Sequence, residues 1–268
     1  MARKPEKSPA AAGMPDPQRV SALAGEAPVA GVAGPGRWLV VEYAPTSLFS
    51  LKTSQATSSV GVSLVIPTPY AIKMAFVDVA FRAGFPLEED YDVFLRSLAP
   101  VDVRIGPARA AVVTNTFLKI RQESRDGDPL RPYGPAIAYR EMVSLRGSWL
   151  WAFDLARGDD LLAERLVRLA PYVSYVGKRG SFIQFQGFYR CADLSAGFTQ
   201  PVQGGGLRLG LNRVHIRMLD DFGPEASLEV LSSYTSQKPK RGKHRRFVET
   251  IIPTGIVNTG PGFAEYQT

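Results

Sequence analysis

The chain has 268 residues, of which 45% are hydrophobic and 21% charged, a globular composition that excludes a wholly disordered or fibrous protein. It carries 32 Lys+Arg against 25 Asp+Glu, a formal net charge of +7, which favours an anionic partner, nucleic acid before membrane. With one cysteine, Cys191, and two histidines, His215 and His244, there is no material for an intrachain disulfide framework or a Cys- or His-rich metal centre, and neither a metal nor another cofactor is expected.

Residues 1–36 are dominated by Ala, Pro and Gly and lack aromatics. Such a stretch cannot bury enough apolar surface to offset its ordering entropy, so it is expected to be a disordered arm. No apolar segment follows Arg3 and Lys4, so no secretory signal is expected. No run of about 18 apolar residues occurs, so neither is a membrane-spanning helix. The expected location is the cytoplasm.

The run Trp38–Tyr43 (WLVVEY) predicts the first strand, and Ser47–Val60 a loop with strand-like ends. A helix follows with an N-cap at Thr68, Pro69 in its first turn and a stop at Gly84. Its residues are apolar nearly all round, which predicts burial rather than an amphipathic surface helix. Leu87–Leu98 predicts a second helix with an acidic first turn, favourable to the helix dipole. Val101–Ile105 and Arg109–Arg121 read as strands, followed by the Gly/Pro/Asp-rich loop DGDPLRPYGP. Ile137–Leu145 and Trp149–Leu155, joined by Arg146-Gly147-Ser148, read as a β-hairpin. Trp149, Trp151, Phe153 and Leu155 share one face of its second strand. Asp159–Ala170 is an amphipathic helix ended by Pro171, Ser181–Cys191 an alternating strand, Leu207–Met218 a further strand region, and Arg245–Ile252 the last strand. Together these elements predict an α+β fold with a ferredoxin-like sheet and β additions.

Charge is unevenly distributed. Residues 238–246 (KPKRGKHRR) hold Lys238, Lys240, Arg241, Lys243, Arg245 and Arg246 with no acid. Residues 104–146 hold eight basic and four acidic side chains, and residues 178–217 six and one. Residues 78–102, with six acidic and two basic, and 218–237, with four acidic and none basic, compensate. The pattern predicts one positive and one negative face.

No P-loop, GxSxG or HExxH motif is present, and the Gly204-Gly205-Gly206 run reads as a plain loop. Phosphate binding needs several cations at backbone spacing, which KPKRGKHRR supplies together with His244; the alternative is a solvated loop without a partner. A mobile loop at a sheet edge is the expected setting. In Val176–Phe182, glycines flank Lys178 and Arg179, so backbone and cations can approach a phosphate while Phe182, Phe185 and Tyr189 nearby stack on bases; the alternative is a glycine turn with core aromatics. Arg213, His215 and Arg217 share one strand face, either as a basic stripe or with His215 a half-buried strand residue. Arg140, Arg146 and Trp149 lie near the tip of the expected hairpin, which is either a projecting finger or an ordinary hairpin with a buried aromatic face.

The segment IPTPYAIKMAFVDVAFRAG, with Pro67, Thr68 and Pro69 at its start, the strand TNTFLKI (114–120) and YVGKRGSFIQF (175–185) resemble the CRISPR-associated RAMP superfamily. Within it they are most similar to the Cas-five family, the Cascade subunit that holds the 5′ handle of the guide RNA. The resemblance covers residues 37–255 as one domain and leaves the arm and a tail, 256–268, outside. It implies a modified ferredoxin-like (RRM-like) domain with a C-terminal β-region and a projecting thumb hairpin. It also implies a non-catalytic, RNA-binding role in antiviral defence, in contact with the backbone and large subunits, with target DNA as a further candidate partner and no membrane. The RNA-binding candidates are Lys73, Lys119, Arg121, Arg140, Arg146, Trp149, Lys178, Arg179, Phe182, Arg213, His215, Lys238, Lys240, Arg241, Lys243, His244, Arg245 and Arg246. One branch of the family cuts precursor guide RNA with Lys, Tyr and His side chains. Metal-independent cleavage of that RNA, through His215 or His244 beside an arginine, is therefore the alternative activity.

Overall fold

Trp38–Pro45 forms strand β1, rich in β-branched and aromatic residues, with Leu39, Val41 and Tyr43 buried on one face. The structure is a computed structural model that describes residues 36–53, 60–82, 91–123, 130, 132–155, 160–203, 213–232 and 235–268. Nearly all of the expected arm, the Gly204–Gly206 loop and the expected helix stop at Gly84 lie outside the described residues.

After the short strand β2 (Val60–Gly61) comes α1, Pro69–Arg82. Its start is as read from the sequence: Pro69 is its first residue, and the Thr68 hydroxyl oxygen accepts the Ala71 N–H at 3.2 Å. Its all-round apolar surface is explained by two partners. Phe76 packs edge-on against Phe153 on one side, and Tyr70 meets Phe222 in the same manner on the other. Helix α2 (Tyr91–Leu98) buries Phe94, Leu95 and Leu98.

Strands β3 (Val103–Gly106), β4 (Ala110–Glu123), β5 (Tyr133–Arg146) and β6 (Trp149–Asp154) follow, then α3 (Asp160–Leu169) and β7 (Ile183–Cys191). One four-stranded sheet runs β3-β6-β1-β7, antiparallel throughout. Helices α1 and α3 join the main core with Leu39, Val41, Tyr43, Trp149, Trp151 and Phe153. The buried Tyr43 hydroxyl donates to the Ala170 carbonyl at 2.9 Å, tying sheet to helix end. On the other face Trp38, Val40 and Ala152 are covered by Phe198, from the loop after β7.

The expected hairpin 137–155 does not form. β5 pairs along its whole length with β4, from Ala110↔Arg146 to Glu123↔Tyr133, while β6 pairs with β1 and β3. Gly147, at φ 93°, is a turn between two sheets rather than between two paired strands. The reason is the face pattern. Trp149, Trp151 and Phe153 are completely buried on β6, whereas β5 alternates exposed and half-buried residues over its first half. The two segments therefore suit different layers.

The C-terminal region is β8 (Gln200–Pro201), β9 (His215–Phe222), the single-turn helix α4 (Leu228–Leu231), β10 (Arg245–Ile252), β11 (Gly255–Gly260) and β12 (Phe263–Gln267). β8, β10 and β9 form one sheet; β11-β12-β4-β5-β2 form another, antiparallel except for the two-residue pairing of β2. Residues 256–268, read from the sequence as a tail outside the domain, thus contribute two strands, and β12 pairs with β4 from Phe263↔Thr114 to Gln267↔Ala110. The whole is a mixed α/β fold with antiparallel sheets and few helices. No helix among the described residues is long and apolar enough to cross a membrane.

Candidate nucleic-acid interface

Residues 238–246 lead into β10 as a hydrogen-bonded turn. The His244 N–H donates to the Lys240 carbonyl at 3.0 Å and the Gly242 N–H to the Arg245 carbonyl at 2.8 Å, with Gly242 at φ 84°. The Lys240 N–H in turn donates to His244 Nδ1 at 3.1 Å, so the neutral ring carries its proton on Nε2. The turn is clamped to residues 223–225: the Gly223 N–H donates to the His244 carbonyl at 2.9 Å and the Glu225 N–H to the Lys243 carbonyl at 3.0 Å. A Cβ at Gly223 would fall on that Lys243 carbonyl, so the close approach requires glycine there.

The charges of this turn divide into two sets. Arg245 Nε lies 2.5 Å from Asp220, and its guanidinium sits 4.3 Å over the Tyr70 ring. Arg246 Nη2 lies 2.7 Å from Asp221. Lys243 meets Glu225 at 3.3 Å on the surface. Lys238, Lys240 and Arg241 are exposed and meet no carboxylate among the described residues; Arg241 stacks on Phe247 at 4.6 Å. The acidic stretch 218–237 and the basic stretch 238–246 therefore do not make opposite faces. They are paired strands and turns, with β9 and β10 antiparallel from Arg245↔Phe222 to Ile252↔His215. The basic stretch is thus partly neutralised by the acids of β9 beside it.

The second turn, Gly177–Gly180, has both glycines at positive φ, 73° and 101°, a conformation open to glycine without strain. Lys178, Arg179 and Phe182 are exposed. Ser47 fixes the turn from outside: its hydroxyl donates to the Gly180 carbonyl at 2.6 Å and accepts the Phe182 N–H at 2.6 Å. Tyr175 anchors the same segment to the end of α1, its hydroxyl donating to Asp78 at 3.1 Å with Arg82 over its ring. Of the other two aromatics read as stacking candidates, Phe185 packs against the core and Tyr189 is exposed. The two cationic segments are thus anchored at different points of α1, one through Arg245 over Tyr70 and the other through Tyr175 at Asp78 and Arg82.

On the β4–β5 ribbon, Lys119 and Arg121 are exposed and lie opposite Ile137 and Pro135. They share a face with Phe117 and Tyr139, whose rings lie 5.0 Å apart. Phe117 is 71% and Ile137 73% exposed. The sequence reading missed Phe117 and Tyr139 as candidates, and the signal was there: TNTFLKI alternates an aromatic with a cation at period two. Arg140, half-buried, and Arg146, exposed, lie elsewhere along β5.

Two candidates are corrected outright. Lys73 has no exposed side-chain surface; its ammonium lies 2.8 Å from Asp221 and donates to the Ala99 carbonyl at 2.9 Å. Burial drives its pKa down, opposed by the Asp221 carboxylate. Trp149 is completely buried, edge-on against Phe49. Neither can touch a nucleic acid, because α1 and β6 supply the core. Arg213 is exposed, packed beside Gly255. His215 is half-buried, with Nδ1 2.8 Å from the Thr254 carbonyl; that contact places the proton on Nδ1 and leaves Nε2 as the basic nitrogen. Burial lowers its pKa. Among the described residues no group of three or more His, Cys, Asp or Glu side chains is placed to hold a metal ion.

No family model matches the chain, and no curated protein does. Solved structures similar to it include a CRISPR protein from Archaeoglobus fulgidus, 10% identical over 86% of this chain and 91% of that one, with a TM-score of 0.42. Another is a chain of the Type III-B Cmr-beta complex bound to cognate target RNA, 10% identical over 58% of this chain and 60% of that one, with a TM-score of 0.39. Likenesses this distant carry no functional weight.

Proposed function

We propose that the chain is a cytoplasmic, RNA-binding subunit of a type I CRISPR Cascade-like effector complex. In this reading it has no catalytic role, holds the 5′ handle of the guide RNA and contacts the neighbouring backbone and large subunits, with target DNA passing nearby. The observation that carries the RNA-binding part is the clamped turn 238–246, which offers Lys238, Lys240 and Arg241 without carboxylate partners among the described residues. Cations that are already neutralised release no counterions on binding, whereas these three can. The turn at Lys178 and Arg179, with Phe182 exposed beside it, offers a second phosphate contact and a stacking surface.

The family part rests on the sequence resemblance, whose segments fall on α1, on β4 and on the Lys178–Arg179 turn with β7. The order β3-β6-β1-β7, with α1 and α3 as its crossings, agrees with a ferredoxin-like domain, and β4–β5 is the candidate for the thumb. Sequencing the RNA that co-purifies with the native assembly tests the proposal. Guide RNAs sharing one 5′ handle are expected; an assembly free of such RNA sinks it.

One observation favours a second reading, metal-independent cleavage of precursor guide RNA. The Thr254 carbonyl fixes the His215 tautomer so that Nε2 is free to take the proton of a ribose 2′-OH, with Arg217 on the same strand face. Incubating the purified chain with repeat RNA in EDTA separates the two, because a discrete product appears only under the second.

A further inference from the structure

Asp220 and Asp221 are adjacent on β9 and nearly buried, 6% and 4% exposed. Successive strand residues point to opposite faces, so each carboxylate captures a different arginine of the basic turn: Asp220 takes Arg245 and Asp221 takes Arg246. Asp221 also reaches into the core. Its Oδ1 lies 2.8 Å from Lys73 Nζ and accepts the Phe222 N–H at 2.7 Å. Lys73 is fastened in turn to the Ala99 carbonyl beyond α2. The C-terminal end of the turn is thus tied through two carboxylates to α1 and the core, while Lys238, Lys240 and Arg241 at its N-terminal end face solvent.

We propose that Asp220 and Asp221, the latter through the buried Lys73, are positioning residues that hold the 238–246 turn in the shape in which it receives a nucleic-acid backbone. The proposal rests on the RNA-binding reading of that turn. It has an uncommon signature: removing an acid from an anion-binding protein weakens binding. By long-range electrostatics alone, Asp220→Asn adds one unit of positive charge and tightens RNA binding. Under positioning, the same change frees Arg245 and lets the turn spread over several conformations, so the ordering cost falls on binding.

The test measures binding of the full chain to a labelled single-stranded RNA oligonucleotide over a series of salt concentrations. Four proteins are compared: wild type, Asp220→Asn, the charge-neutral pair Lys73→Met/Asp221→Asn, and Lys238→Gln/Lys240→Gln/Arg241→Gln. Asp220→Asn is expected to bind about fivefold more weakly, equivalent to roughly 1 kcal/mol, with its thermal unfolding midpoint near wild type. The charge-neutral pair is expected to weaken binding by a similar factor. Since that pair can fail to fold, Asp220→Asn, which leaves Lys73 and Asp221 intact, decides the matter alone. If Asp220→Asn binds as tightly as wild type or tighter while the triple variant binds weakly, the positioning role is overturned and the RNA reading stands. If the triple variant binds like wild type, the RNA reading of the turn fails and the positioning role with it.

Discussion

The Lys73 ammonium and the Asp221 carboxylate meet 2.8 Å apart with 0% and 6% of their side-chain surface exposed. Two charges so far from water stabilise a fold only because each has a partner and further hydrogen bonds. Lys73→Met removes one partner and leaves Asp221 with Arg246, whose side chain is 47% exposed. Breaking a buried pair costs about 3–5 kcal/mol when nothing compensates; with Arg246 still in place, about 2–3 kcal/mol is expected. Urea unfolding of Lys73→Met against Lys73→Met/Asp221→Asn checks this. The double variant is expected to be the more stable, and the reverse order would refute a mutually compensated pair.

Lys178 and Arg179 are exposed on a turn set by two positive-φ glycines and by Ser47. Reversing both to Glu leaves that backbone untouched, so the thermal midpoint should not move. RNA retention by the purified complex should be lost, and the salt dependence of residual binding should flatten by about 0.7 per phosphate contact removed. Retention at the wild-type level would remove this turn from the interface.

Phe117 stands on the outer half of the β4–β5 ribbon against Tyr139, with most of its surface in solvent. Phe117→Ala gives up little buried area, and the lost ring pair costs roughly 0.5–1.5 kcal/mol of stability. If a base stacks there, affinity for single-stranded RNA falls by a further 1–3 kcal/mol, about fivefold to more than a hundredfold. Anisotropy titration of the folded variant against wild type reads the difference; equal affinity would remove base stacking at Phe117 from the interface.

Burial lowers the His215 pKa from its usual 6.5, the Thr254 carbonyl opposes that and Arg217 adds to it. A group whose folded pKa lies below its unfolded pKa binds fewer protons in the folded state between the two. Its contribution is therefore present above pH 6.5 and is lost as pH falls through the folded value. The thermal midpoint should drop when the pH is taken from neutral to about one unit below the ordinary imidazole value. His215→Gln should flatten that part of the profile, and an unchanged slope in the variant would assign the loss to other groups.

What the sequence by itself determined was local. The Thr68 cap, Pro69 and the apolar face all round specified α1 and its burial, because capping and periodicity are written within one helical turn. Alternation likewise marked β7, and the shared face of Trp149, Trp151 and Phe153 marked β6 as a core strand. Which strand pairs with which is a non-local choice, and there adjacency misled. β5 and β6 lie two residues apart in sequence, yet they belong to different sheets: β6 carries a fully buried aromatic face, Trp149, Trp151 and Phe153, whereas β5 adds to the main core only near its end, through Val143 and Leu145. The charge of +7 was equally ambiguous until folding. Tertiary structure set Asp220 and Asp221 against Arg245 and Arg246 and sank Lys73 into the core, leaving Lys238, Lys240 and Arg241 facing solvent. A sequence counts charges, but Coulomb energy depends on distance and on the surrounding medium, and both are fixed only when β9 and β10 pair.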